Sequence, residues 1–300
     1  MKVREIACKT ALCQSGLADY ALNCYVGCAH GCRYCYARYM RRFTACPLRS
    51  PSSAGPTEGW DPRRLVRLTA ARGHTEPWGE FVDVRVNVVE ILLRQLPRTR
   101  VGSVMVSSVC DGWQPLEEKY RLTRECVRLL VTGGYDVSVL TKNALVVRDL
   151  DVLGGSKRVE LGMTVTTLDE GLRRVIEPAA SPTLKRFEAL KAASEKGVRV
   201  WLFVGPLLPF LSDTSENIRS LLKEASRLPL ERIYFDKLNV RSGVWPSLEG
   251  LLREHHPAFL GRYRSVLFDP TERESYLEDL RRRIEKAVNA HHLAGITVLF

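Results

Sequence analysis

The feature that most restricts what this chain can become is the regular alternation of apolar runs and helix-forming segments along its middle. Runs suited to strands lie at 80–86, 101–109, 135–140, 158–165, 198–204 and 231–235; helix-period segments lie between them at 88–96, 116–131, 144–153, 168–176, 181–196 and 215–227. Strand, helix, strand at this spacing calls for parallel pairing, because a parallel pair needs a long right-handed return. A shorter alternation at Tyr20–Tyr25 brings the candidates to seven, too few for a closed eightfold barrel. The expected fold class is therefore α/β, a partial TIM barrel of about six βα units. Its working face should lie at the C-terminal ends of the strands, open on one side to a large substrate.

The flanks set the expected domain plan. Residues 1–240 form the core, with an insertion at about 37–80 that holds the Pro-, Gly- and Ser-rich loop 47–62. Residues 241–300, with "LEGLLREHH" and "TERESYLEDLRRRIEKAVNAHH", form a helical C-terminal extension packed on that core. The N-terminus has no apolar stretch long enough for a signal peptide, and no segment could span a bilayer, so a cytoplasmic protein without a membrane partner is expected. In a reducing compartment thiols stay free, and a tight group of them points to metal or redox chemistry.

Such a group occurs at "GCAHGCRYCYAR", residues 27–38, which holds three of the nine cysteines. Cys28, Cys32 and Cys35 have the spacing C-x3-C-x2-C, and Gly27 and Gly31 let the backbone wrap closely around one inorganic centre. Zinc would need a fourth ligand, for which His30 is available inside the loop, although structural zinc sites usually come as two separated pairs. A four-iron cluster on three cysteines would keep one iron open to a small molecule, and this accounts for the number three.

The spacing, with an aromatic residue before the last cysteine, resembles the signature of radical S-adenosylmethionine (SAM) enzymes, whose core is a partial TIM barrel. "NCYVGCAHGCRYCYARYM" resembles the spore photoproduct lyase-like and DNA repair photolyase-like branch of that family. The likeness continues in order through "SSVCDGWQPLEEKYRLTR", "LTKNALVVRDLDVL", "TVTTLDEGLRRVIEPAASPTLKRFEAL" and "GVRVWLFVGPLLP", roughly residues 18 to 212. The resemblance implies a 4Fe-4S cluster on Cys28, Cys32 and Cys35, with SAM on the fourth iron. One electron, from a reductant such as ferredoxin or flavodoxin, would cleave SAM to a 5′-deoxyadenosyl radical that takes a hydrogen atom from substrate.

It also implies roles for single residues. Tyr34 would lie near the SAM adenine, Lys142 near the SAM carboxylate, and Thr164 and Thr166 near the ribose; Arg186 would meet the SAM carboxylate or hold Glu177. Tyr36 matches a tyrosine of the radical relay, and Cys110 a cysteine that returns a hydrogen atom to the product radical. Each has a plain structural alternative: packing aromatics, an exposed lysine, strand threonines, a surface arginine and a small buried thiol. Asp111, Trp113, Gln114 and Glu117 follow a barrel strand, where substrate contact is expected, although "QPLE" also suits a helix start. Cys8, Cys13 and Cys24 are irregularly spaced candidates for an auxiliary cluster, Cys46 and Cys126 belong to no second motif, and the pairs His255–His256 and His291–His292 suit a surface.

Substrate class rests on charge. The 45 Lys and Arg against 34 Asp and Glu leave a net +11, which favours DNA or RNA as partner through counterion release. Radical chemistry on a protein or small metabolite, and a non-catalytic iron–sulfur or zinc protein, are the competing expectations.

Overall fold

The structure, a computed structural model, describes residues 1–42 and 74–300; Cys46, the loop expected at 47–62 and most of the insertion expected at 37–80 lie outside the described residues. Two sheets organise the chain. The larger has eight strands in the order β11-β10-β9-β8-β7-β6-β3-β2: β2 (Leu12–Gln14), β3 (Tyr20–Leu22), β6 (Ser103–Val106), β7 (Asp136–Thr141), β8 (Val159–Val165), β9 (Arg199–Leu207), β10 (Leu230–Lys237) and β11 (Thr297–Leu299). All pairs from β3 to β11 are parallel, and β2 closes the row as an antiparallel hairpin with β3. The sheet stays open between β2 and β11, the partial barrel expected.

The strands form because their apolar residues face both the barrel interior and the helices outside. In β8, six of seven residues are buried, as a parallel strand covered on both faces requires. β7 instead alternates, burying Val137, Val139 and Thr141. At Gly162 of β8 a Cβ would stand 2.3 Å from the Trp201 ring, so the missing side chain lets the indole lie flat on the neighbouring strand. The returns are α1 (Val88–Gln95), α2 (Glu117–Tyr120), α3 (Leu122–Thr132), α4 (Leu150–Leu153), α5 (Glu170–Ile176), α6 (Thr183–Glu195) and α7 (Ser215–Ala225). Asp169 and Thr214 cap α5 and α7 through their side chains, as residues of these types do at free amide ends. The helix expected over 116–131 breaks at Arg121, which adopts positive φ, and that expected over 144–153 opens with a 3-10 segment, Ala144–Asp149.

Three strand expectations are corrected. The run at 80–86 is not a barrel strand: β5 (Phe81–Arg85) pairs with β1 (Lys2–Ile6) and β4 (Tyr25–Val26) in a separate three-stranded sheet. The run at 20–25 is two strands, because the chain leaves the large sheet after Leu22 and joins the small one at Tyr25. The run at 101–109 ends at Val106, where Ser107 takes a φ of 75° that no strand residue can hold. Cys110 therefore sits in the following loop rather than at a strand end.

The C-terminal part contains α8 (Val244–His255), α9 (Leu260–Phe268) and α10 (Pro270–Ala290), the last packed on α7 and α9. It is not wholly helical, since β11 returns to extend the large sheet beside β10. Leu248, Leu251, Leu252 and Tyr263 of this part share a buried cluster with Cys32 and Tyr34, so the extension supports the cysteine loop from behind.

Candidate active site

The cysteine loop leaves the small sheet directly after β4 and is fastened at its entry. The Arg85 amide donates to the Cys24 carbonyl at 3.1 Å, and at Gly27, φ 90°, any Cβ would stand 2.5 Å from the Phe81 carbonyl. Further on, Gly31 and Gly79 approach so closely that a Cβ on Gly79 would lie 2.7 Å from the Gly31 Cα. The result is a tight cradle with Cys28 and Cys32 buried and Cys35 half-buried. Burial raises all three thiols, and Cys28 also feels the charges of Asp111, Cys32 and Cys35.

Three soft thiol donors gathered in a largely apolar cradle fit an iron–sulfur cluster. The zinc alternative asks for His30 as a fourth ligand. Among the described residues no three His, Cys, Asp or Glu side chains converge as a single ion requires. His30 is turned away, with Nδ1 3.3 Å from Asp111 Oδ2 and Nε2 3.3 Å from Asn143 Nδ2.

The loop after β6 clamps this cradle. Gln114 accepts the Ala29 amide N–H at 2.8 Å and donates to the Gly27 carbonyl at 3.4 Å. Asp111 faces His30 and accepts from the Thr141 hydroxyl at 2.6 Å, the Lys142 amide at 2.8 Å and the Trp113 amide at 2.9 Å. Burial pushes the Asp111 carboxyl up, but the His30 ring and these donors outweigh it and hold the group at about 2. Trp113 donates to Asp149, and Glu117 accepts from Tyr25. All four side chains are buried and partnered within the protein, so the expected substrate contact by Asp111, Trp113, Gln114 and Glu117 is replaced by a structural one.

Opposite the clamp, the ends of β8 and α6 meet the loop. Glu177 is fully buried and receives hydrogen bonds from Arg186, from the Tyr34 hydroxyl and from Thr166, whose Oγ1 lies 3.0 Å away. Burial raises this carboxyl, and the Arg186 and Lys142 charges with the Arg186 and Tyr34 hydrogen bonds overcome that and hold it at about 2. Arg186 spends its other donors on the Ser181 and Thr164 carbonyls, both at 2.9 Å. Of its two expected partners, then, it meets Glu177. Thr164 is buried at the end of β8, its carbonyl taken by Arg186, and Thr166 Oγ1 also lies 3.1 Å from the Gly205 carbonyl. The Lys142 ammonium stands 5.8 Å from the Tyr34 ring centroid and forms no ion pair among the described residues.

Tyr36 projects on the other side of the loop, 41% exposed, with its hydroxyl on the Ser108 carbonyl and the Arg241 guanidinium 5.8 Å from its ring. The Cys110 thiol points at Asn23 Oδ1, 3.6 Å away, and is buried. Among the other cysteines, Cys24 and Cys126 are buried close together, Cys13 is exposed, and no auxiliary metal group forms among the described residues. Sequence reasoning missed Gln114 as a clamp and Asn23 as the partner of Cys110. Their only local signal is an amide side chain beside a strand end, which many loops share.

The comparisons with known proteins bear on the whole arrangement. The radical SAM superfamily profile matches residues 22–225, the stretch that holds the loop, its clamp and the Glu177 pocket. The chain belongs to the radical SAM superfamily. Members of this superfamily employ a 4Fe-4S cluster with SAM and draw on an electron donor. An uncharacterised protein of Methanocaldococcus jannaschii is 26% identical over 269 residues, covering 90% of this chain and 87% of the relative. Another, from Mycobacterium tuberculosis, is 26% identical over 302 residues, covering 97% and 81%. In structure the chain is similar to spore photoproduct lyase. A variant with bound AdoMet and dinucleoside spore photoproduct superposes with a TM-score of 0.67 over 99% of this chain and 81% of that one, at 11% identity. That likeness establishes the shared partial-barrel fold of this radical SAM chain.

Proposed function

We propose that this radical SAM protein is an enzyme that acts on nucleic acid, as a lesion-repairing or modifying enzyme. Cys28, Cys32 and Cys35 would hold the cluster, and Tyr34, Lys142, Thr164, Thr166 and Arg186 would line or support the SAM pocket. When bound, these cofactors supply one-electron cleavage of SAM and hydrogen-atom abstraction by a 5′-deoxyadenosyl radical. The protein's part is orientation and exclusion of water. Lys142, in no ion pair among the described residues, offers an ammonium to a carboxylate beside the Tyr34 ring, while the Glu177–Arg186 ion pair behind it keeps the ring in place.

The observation that carries the choice of substrate is Tyr36 with Arg241. An exposed ring beside a guanidinium, next to the cluster loop, is the pairing that stacks a base and meets its phosphate. Arg41, also exposed, follows on the same 3-10 segment, Tyr36–Arg42, and the net +11 works in the same direction. The roles of Tyr36 in a radical relay and of Cys110 as hydrogen-atom donor belong to this proposal. So do the division near residue 240 and a small acidic reductant such as ferredoxin or flavodoxin. No helix among the described residues is long and apolar enough to cross a membrane.

The test is anaerobic reconstitution with iron and sulfide, then SAM, dithionite and deuterated DNA or RNA. Deuterium in 5′-deoxyadenosine supports the reading. Formation of 5′-deoxyadenosine with no deuterium from any nucleic acid, and no salt-dependent binding, would redirect the substrate to a protein or metabolite. Absence of SAM cleavage would sink the enzymatic reading altogether.

A further inference from the structure

Trp78 lies in the turn before β5, only 6% exposed, in a small buried cluster with Cys28, Ala37 and Phe81. Cys35, Met40 and Val109 pack against the same cluster. An edge-to-face contact with Phe81, centroids 5.9 Å apart at 84°, fixes the plane of the indole. Yet its N–H finds no hydrogen-bond partner among the described residues. A buried donor left so is uncommon and calls for a reason. Trp113 shows the ordinary solution, donating to Asp149 at 2.8 Å. The Trp201 N–H is likewise unpartnered, but that ring packs on Gly162 in the middle of the large sheet. Trp78 alone of the two is packed among the candidate ligand cysteines, in one buried cluster with Cys28 and with Cys35 against it.

We propose that the Trp78 indole donates a hydrogen bond to the Cys35 sulfur when that sulfur ligates the cluster, and thereby sets the cluster's reduction potential. A neutral thiol is a poor acceptor, which leaves the N–H without a true partner; a metal-bound thiolate is a good one. An N–H directed at a cluster sulfur draws off negative charge, favours the reduced state and raises the potential. The large ring also covers Cys28 and Cys35 from solvent, a second control on the same quantity. Trp78 is thus a tuning residue acting through Cys35, and the inference rests on the cluster assignment above.

The experiment compares the reconstituted full chain with Trp78→Phe, which keeps an aromatic ring and loses the N–H. In an EPR-monitored redox titration the variant's potential should shift to a more negative value at equal iron content; an unchanged potential would overturn the proposal. A second readout uses 15N-indole tryptophan. The reduced cluster of the unsubstituted protein should show a 15N coupling that vanishes in Trp78→Phe. No coupling in the unsubstituted protein overturns the proposal even where the variant holds no iron. Failure of the cluster assignment looks different: iron would survive replacement of each of Cys28, Cys32 and Cys35.

Discussion

The side-chain carbonyl of Gln114 accepts the Ala29 amide at 2.8 Å, and so ties the loop after β6 to the middle of the C-x3-C-x2-C motif. Gln114 is completely buried, and its amide nitrogen reaches the Gly27 carbonyl from the same position. One side chain thus satisfies two backbone groups of a loop too short to satisfy them itself. Gln114→Ala should destabilise the fold by about 1–3 kcal/mol, the penalty for buried groups left unpaired. It should also reduce iron retention after reconstitution, measured by thermal unfolding and iron analysis. Gln114→Glu keeps the acceptor but buries a carboxylate with no counter-charge and loses the donor to the Gly27 carbonyl, so it should lose at least as much.

Glu177 and Arg186 form an ion pair with both side chains inaccessible. Arg186→Met should cost about 3–5 kcal/mol, because it leaves a carboxylate buried without its main counter-charge. Combining it with Glu177→Leu should recover part of that loss, and a double-mutant cycle in urea measures the coupling.

The same carboxyl makes stability depend on acid. Glu177 is held at about 2 in the folded chain against an ordinary 4.5, so its contribution is complete above pH 4.5 and is lost as pH falls through the folded value. Unfolding free energy should therefore decline between those limits, and Glu177→Gln should flatten the decline. An unaltered pH slope in the variant would contradict the pairing.

Replacing any one of Cys28, Cys32 or Cys35 by alanine should abolish the EPR signal of the reconstituted protein while leaving its circular dichroism intact. The fold is built from strands and helices that do not need the thiols. Chelation of iron should likewise remove the signal and spare the sheet.

If Tyr36 and Arg241 meet nucleic acid, Arg241→Ala should weaken binding across sequences and lower the salt slope by about one. Tyr36→Ala should cost about 1–3 kcal/mol on single strands through lost stacking. Fluorescence titration at several salt concentrations checks both, and a slope unchanged by Arg241→Ala would remove that contact.

Much of this protein was legible in one dimension. The period of its apolar residues determined the parallel strands β6 to β10 and most of their helices, since burial on both faces needs unbroken apolar runs. The spacing of Cys28, Cys32 and Cys35 determined the candidate cluster loop, since three thiols within eight residues share one short loop whatever surrounds them. Tertiary structure decided the rest. The residues of β5 read like any barrel strand, and only pairing with β1 and β4 placed them under the loop as its anchor. Polar residues after β6 looked ready for substrate, but Asp111 and Gln114 turned inward because His30 and Ala29 bring unsatisfied groups to them there. β2 and β11, three residues each, carry too few for a period to show, and they exist through their neighbours' edges. Local pattern records which side of an element is apolar. What a polar group finds when that side is buried depends on chain from 80 or more residues away, as between Ala29 and Gln114, |i−j| 85, and no local pattern carries it.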